Sequence, residues 1–253
     1  MPATTPPQKP PHRALYDAFL DALFPPRCAG CTHWSRAPFC SKCAPLLRPI
    51  CAPLCDYCGA PFDPHAFSAP ICAACRARAP HFGAARSAFH FDGPLRQAIH
   101  HLKYQQKSAL AARLAPFLAQ QLFEDATLKQ FVPQLLVPVP LHRTRLKTRG
   151  FNQSFLLASE LGRLIDVETQ EILRRTRDTA PQVELGRADR AKNVRGAFAV
   201  DAAKNLDASK WQGARILLID DVFTTGATIG EAAKTLKLAG AGEICALTLG
   251  RQA

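Results

Sequence analysis

The chain is 253 residues long and 47% hydrophobic, with 32 Lys and Arg against 20 Asp and Glu for a formal net charge of +12. Such a length suits one large domain or two smaller ones, and no apolar run approaches the ~18 residues of a membrane helix, which excludes membrane insertion through helical spans. The basic balance favours anionic partners, phosphates or nucleic acid, and 12 of the basic residues fall between Arg143 and Arg195.

The first segment, "MPATTPPQKPPHR", holds five prolines and no apolar core. It is no secretory signal, and residues 1–13 are expected to be a disordered arm on a cytoplasmic protein. Leu15, Phe19 and Leu23 then recur at helical spacing, predicting one short amphipathic helix that Pro25 and Pro26 end.

Eight of the ten cysteines form four Cys-x-x-Cys pairs: Cys28/Cys31, Cys40/Cys43, Cys55/Cys58 and Cys72/Cys75. In a chain without an export signal this pattern points to metal rather than disulfides. Two intervening residues let both thiolates of a pair reach one tetrahedral ion, and two pairs close a structural zinc site. Four complete pairs predict about two structural zinc ions per chain, bound either by ribbons in series or by a cross-braced pairing. Cys51 is a spare, His33 and His65 read as loop histidines, and Cys245 reads as core.

Near residues 80–85 the texture changes to alternating strand-like and helix-like segments. Residues 14–84 are expected to hold the helix and a double zinc ribbon, and 85–253 an α/β domain with a parallel sheet flanked by helices. "AARSAFHFDG" reads as a strand, "PLRQAIHHLKY" and "SALAARLAPFLAQQLF" as helices, and "QLLVPVP" as a strand whose prolines mark its exit. "VPVPLHRTRLKTRGFNQS" then crowds Arg143, Arg145, Lys147 and Arg149 into a loop before a helix that places Leu157, Leu161 and Leu164 on one face.

The most informative stretch is "ILLIDDVFTTGAT". A buried strand over 216–219 delivers Asp220 and Asp221 to the carboxyl end of the sheet, where open α/β folds bind ligands. Thr228 and Glu231 have capping-box spacing, so a helix over 229–239 is expected to begin at the turn Thr224, Thr225, Gly226, Ala227, Thr228. Its free N–H groups and dipole would receive a phosphate, while the acids suit neighbouring sugar hydroxyls or a magnesium ion carried by the ligand. "EICALTL" reads as a closing strand.

"LLIDDVFTTGAT" is similar to the phosphoribosyl diphosphate binding motif of type I phosphoribosyltransferases. With "VPVPLH…RGFNQ", "FDGPLRQAIHHLKY" and the cysteine module, the chain from about residue 14 to 250 resembles the ComF family of bacterial natural competence. The resemblance implies a type I phosphoribosyltransferase-like sheet. It places the ribose hydroxyls, with magnesium, on Asp220 and Asp221 and the 5′-phosphate on Thr224–Thr228. It assigns the diphosphate to the basic loop with Arg143 and Arg149. Segment 180–198, with Gln182, Leu185, Arg187, Arg190, Asn193 and Phe198, becomes a lid whose Arg187 or Arg190 meets the diphosphate. Pentosyl transfer to an unspecified acceptor follows, with a non-catalytic sensor and scaffold as the alternative. Single-stranded DNA and a competence helicase are the implied partners. No residue stands out as a general base, and any hood over the acceptor must come from the cysteine module or the segment after it.

Overall fold

The computed structural model describes residues 25–63, 70–104, 109–178, 192–201 and 207–252. The N-terminal arm, the helix expected around Phe19, His65, and Gln182, Leu185, Arg187 and Arg190 lie outside the described residues. After a short helix α1 (Ala73–Ala77) come strand β1 (Ala84–His90), helices α2 (Gly93–Tyr104), α3 (Ala109–Glu124) and α4 (Leu128–Phe131), and strand β2 (Leu135–Pro138). Helices α5 (Arg143–Arg149) and α6 (Gln153–Ile165), strands β3 (Leu173–Arg175) and β4 (Phe198–Val200), strand β5 (Ile216–Phe223), helix α7 (Ala227–Leu238) and strand β6 (Ile244–Arg251) complete the order.

The main sheet runs β1-β6-β5-β2 with every neighbouring pair parallel. Side chains alternate across a strand, so β5 and β6 each feed two cores. Leu217, Ile219, Leu247 and Leu249 meet α2, α3 and α6 through Ile99, Leu102, Leu114, Leu118 and Leu161. Ile216, Leu218, Ile244 and Ala246 meet α7 and Trp211 on the other face. The cysteine region divides between the faces: Cys28, Phe39 and Cys43 join the first core, and Cys55, Cys58, Cys75 and Phe82 join the second.

Four local expectations change. β5 does not stop at Ile219. β6 is equally long, so the ladder continues through Asp220↔Thr248 to Phe223↔Arg251 and holds both acids inside the strand. Helix α7 starts at Ala227 with Gly226 as its N-cap, and Glu231 Oε1 instead accepts the Gly196 amide at 2.7 Å, so the Thr228–Glu231 capping box is not formed. The basic loop is helical: His142 caps α5 by accepting from the Thr144 amide, and Gly150, at φ 81°, closes it through the Leu146 carbonyl. On α6, Leu157 and Leu161 are buried but Leu164 is 44% exposed, because the 3.6-residue period carries the apolar face on to Ile165. The antiparallel pair β3–β4, which places Arg175 opposite Phe198, was not foreseen.

Candidate functional site

Two distant stretches of sequence converge on the acids of β5. Ser154, at the start of α6, donates its hydroxyl to Asp220 Oδ1 at 2.8 Å, and the Asp221 amide reaches the same oxygen at 2.9 Å. Gln153 Nε2 donates to Asp221 Oδ1 at 3.2 Å, while Lys103, at the end of α2, ion-pairs with Asp221 Oδ2. Arg149 donates to Gln153 Oε1 at 2.8 Å, and its guanidinium lies 5.0 Å from the ring centroid of Tyr104. Asn152 fixes the approach: its side chain accepts from the Ser154 amide at 3.1 Å and donates to the Val139 carbonyl at 3.1 Å. The Ser154 amide at this helix end is therefore taken by the cap.

The two acids differ electrostatically. Burial and the adjacent Asp221 carboxylate push Asp220 up to about 7. Burial acts on Asp221 in the same direction and most strongly, but the Lys103 ammonium and the hydrogen bonds with Lys103, Asp220 and Gln153 together hold that carboxyl below its usual range. Arg175 on β3 is buried, which lowers its pKa; the charge of Arg145 acts the same way, and Asp220 and Asp178 pull against them.

The turn after β5 is built around Gly226. At φ 78° it takes a backbone shape other residues adopt at a cost, and a Cβ there would sit 2.6 Å from Phe223 Cζ. The Phe223 ring lies under the Arg251 guanidinium at 4.6 Å. Arg251 in turn donates to the Cys58 carbonyl at 2.7 Å and reaches Cys58 Sγ at 3.6 Å. The turn and the second cysteine set are thus joined by three packed side chains.

The cysteines form two serial sets, Cys28–Cys31–Cys40–Cys43 and Cys55–Cys58–Cys72–Cys75, each with its sulfurs within 4.8 Å of one another. The cross-braced pairing is excluded. Cys31 Sγ and Cys40 Sγ are 3.6 Å apart and Cys58 Sγ and Cys72 Sγ 3.7 Å, close to the ~3.8 Å edge of a tetrahedron with Zn–S bonds of about 2.3 Å. The Cys40 amide donates to Cys28 Sγ and the Cys72 amide to Cys55 Sγ, each at 3.3 Å. Burial opposes ionisation of Cys28, yet the amides of Cys31, Cys40 and Gly30 bring it to about 6. The donor sets fit two structural zinc ions, with no coordination position left for chemistry.

A family profile described as a double zinc ribbon domain matches residues 19–76. Competence protein F of Haemophilus influenzae is 30% identical over 219 residues, covering 86% of this chain and 92% of that protein. The chain belongs to the competence protein F family. DNA utilization protein YhgH of Escherichia coli K12 is 32% identical over 214 residues, covering 84% of this chain and 88% of that protein. Among solved structures, glutamine phosphoribosylpyrophosphate amidotransferase from B. subtilis aligns at TM-score 0.37 and 18% identity, covering 58% of this chain and 29% of that one.

In this member of the competence protein F family, the fold links Arg149 to Asp221 through Gln153 and sets Thr224, Thr225, Gly226, Ala227 and Thr228 at the same end of the sheet. Arg143 is exposed on the first turn of α5. Cys51 and His33 stand outside both cysteine sets, and Cys245 is buried core. Sequence reasoning carried Lys103, Asn152, Gln153, Ser154 and Phe223 as letters of quoted stretches without a task; Arg175 and Arg251 carried no local signal. No described helix is long and apolar enough to cross a membrane.

Proposed function

We propose that this chain binds phosphoribosyl diphosphate with magnesium at the carboxyl end of its sheet and serves DNA uptake or utilisation. The observation that carries this reading is the convergence of Lys103, Gln153 and Ser154 on Asp220 and Asp221 beside the N-terminus of α7, with Arg149 held behind Gln153. An acid pair aligned this firmly suits two neighbouring ribose hydroxyls, and the adjacent turn, Thr224–Thr228, suits the 5′-phosphate. Arg149 and the lid arginines, Arg187 and Arg190, would face the diphosphate. Magnesium fits beside Asp220, whose ionised form is disfavoured by burial and by Asp221, and would supply charge neutralisation of the diphosphate. The setting is supported by the relatives' names, competence protein F and DNA utilization protein YhgH. Residues 14–84 would then be the zinc-bearing part and 85–253 the ligand-binding part of one working unit.

Catalysis on this reading is pentosyl transfer, driven by stabilising the departing diphosphate rather than by a general base. Replacing Asp220 and Asp221 together with Asn should reduce phosphoribosyl diphosphate affinity at least tenfold in calorimetry, with zinc content and circular dichroism unchanged. Unaltered affinity would remove the acids from the site.

A second reading, a non-catalytic scaffold for single-stranded DNA, is favoured by α5, where Arg143 and Lys147 are exposed. It predicts oligonucleotide affinity that falls with salt, with a shallower salt slope in Arg143→Ala/Lys147→Ala. Equal slopes in parent and variant would dismiss α5 as the contact.

A further inference from the structure

The two cysteine sets are built from the same pairs but sit in different surroundings. In the second, Cys55, Cys58 and Cys75 are buried and Cys72 is half-buried, and the Arg251 guanidinium covers Cys58, 3.6 Å from its sulfur. In the first, Cys28 and Cys43 are buried, but Cys31 is exposed and Cys40 half-buried, and the sulfurs of these two lie 3.6 Å apart. Local charge differs as well. Residues 27–48 carry Arg27, His33, Arg36, Lys42 and Arg48 and no acid, whereas Asp56 and Asp63 lie within 55–75. Zinc keeps its cysteines as thiolates, and a solvent-facing thiolate in electropositive surroundings is the kind that oxidants reach.

The first set covers an aromatic cluster. Phe39, beside Cys40 in sequence, is buried with its ring 5.9 Å from Phe117, and Phe117 meets Phe89 edge-on at 5.3 Å. From residues 28–43 only Cys28, Ala29, Phe39 and Cys43 are buried members of that core. The remaining ties are polar: His101 meets the Ala29 carbonyl, and Arg113 donates to the carbonyls of Arg27, Ser35, Arg36 and Ala37. So small an apolar contribution leaves the metal as the cross-link that keeps this segment folded.

We propose that the first cysteine set is a peroxide-sensitive switch: oxidation joins Cys31 to Cys40, frees the zinc held there and uncovers the Phe39–Phe117–Phe89 surface, while the second set stays loaded. The Cys31 thiolate attacks hydrogen peroxide, forming an S–O bond as the O–O bond breaks and hydroxide leaves. The Cys40 thiolate then attacks the Cys31 sulfur, forming the S–S bond as the S–O bond breaks and a second hydroxide leaves. Both hydroxides take protons from the solvent, so two thiolates are oxidised and one peroxide is reduced to water. Cys28 and Cys43 alone no longer complete a four-thiolate site. In the second set the half-buried Cys72 has Cys58 as its neighbour, at 3.7 Å, and Cys58 is buried under Arg251. The switch is independent of any ligand at Asp220 and Asp221.

The test is titration of the zinc-loaded full chain with hydrogen peroxide. Zinc release is followed with a chromogenic chelator, disulfides by peptide mass spectrometry and apolar exposure by the fluorescence of an anilinonaphthalene dye. One of the two zinc ions should leave first, together with a Cys31–Cys40 disulfide and a rise in dye fluorescence. A dithiol with added zinc should reverse all three. Cys31→His leaves three thiolates and an imidazole, which still suit zinc, and removes the disulfide. At the same peroxide dose it should keep both ions and bind no extra dye. Cys51→Ser, which removes an exposed thiol outside both sets, should respond as the parent does. The proposal is overturned if peroxide releases no zinc, if both ions leave together, or if the second set empties first. It is equally overturned if the first disulfide forms elsewhere, if zinc leaves without a rise in dye fluorescence, or if Cys51→Ser abolishes the response.

Discussion

Asp220 and Asp221 are neighbours on β5, yet one is matched by a cation and the other is not matched in the same way. Asp221, 4% exposed, has Lys103; Asp220 has hydroxyl and amide donors and the repulsion of Asp221. The unfolded chain gives up the Asp220 proton near 3.8 and the folded chain at about 7. A raised carboxyl pKa means that stability falls as pH rises through that window and is flat above it. Asp220→Asn keeps an oxygen for Ser154 and removes the charge, so it should stabilise the unliganded protein by about 1–3 kcal/mol at pH 8. The gain should grow between pH 5.5 and 7.5 in paired melting curves and then level off; a gain independent of pH would refute the assignment. Lys103→Met leaves Asp221 buried without its cation and should cost about 3 kcal/mol. Adding Asp221→Asn should recover most of that loss in a double-mutant cycle. At this scale the sequence was legible where chemistry is local. The acid pair, the Gly226 turn and the four cysteine pairs are each written in a few consecutive letters. Arg86 was not legible: 4% exposed, it pairs with Asp125 at 2.9 Å and holds the second ribbon through the Asp56 carbonyl at 3.0 Å, partners 39 and 30 residues away. An arginine inside a strand announces no such task.

The long elements were legible because they are long. β5 and β6 are eight-residue strands, α2 has 12 residues and α6 has 13, enough for periodicity to declare itself. β3 and β4, at three residues each, show no alternation, and only their pairing makes them strands. The docking of the two ribbons was equally hidden. The first is held by His101, whose ring nitrogen meets the Ala29 carbonyl at 2.8 Å, and by Arg113, which donates to the Ser35 carbonyl at 2.9 Å. The second is tied by Arg251 to Phe223 and so to the turn. The ribbons should therefore not be equivalent. Cys43→Ser and Cys58→Ser should each lower zinc from two ions to one by elemental analysis. Only Cys58→Ser should also weaken phosphoribosyl diphosphate binding, by about tenfold or 1.4 kcal/mol. Equal effects on binding would cut the proposed link between ribbon and turn.

For the whole molecule, one face of the sheet carries the first ribbon with α2, α3 and α6, and the other carries the second ribbon with α7. The zinc ribbons thus contribute residues to both cores. A net charge of +12 surrounds one strand that carries both acids. An anionic ligand meets a long-range attraction and then a site where carboxylates select its hydroxyls. The most direct test is calorimetric titration of phosphoribosyl diphosphate into the zinc-loaded chain, with and without magnesium, at pH 8. Saturable, one-to-one binding that requires magnesium and is lost in Asp220→Asn/Asp221→Asn is the expected result. No heat at millimolar ligand, or binding indifferent to both magnesium and the acids, would contradict the account.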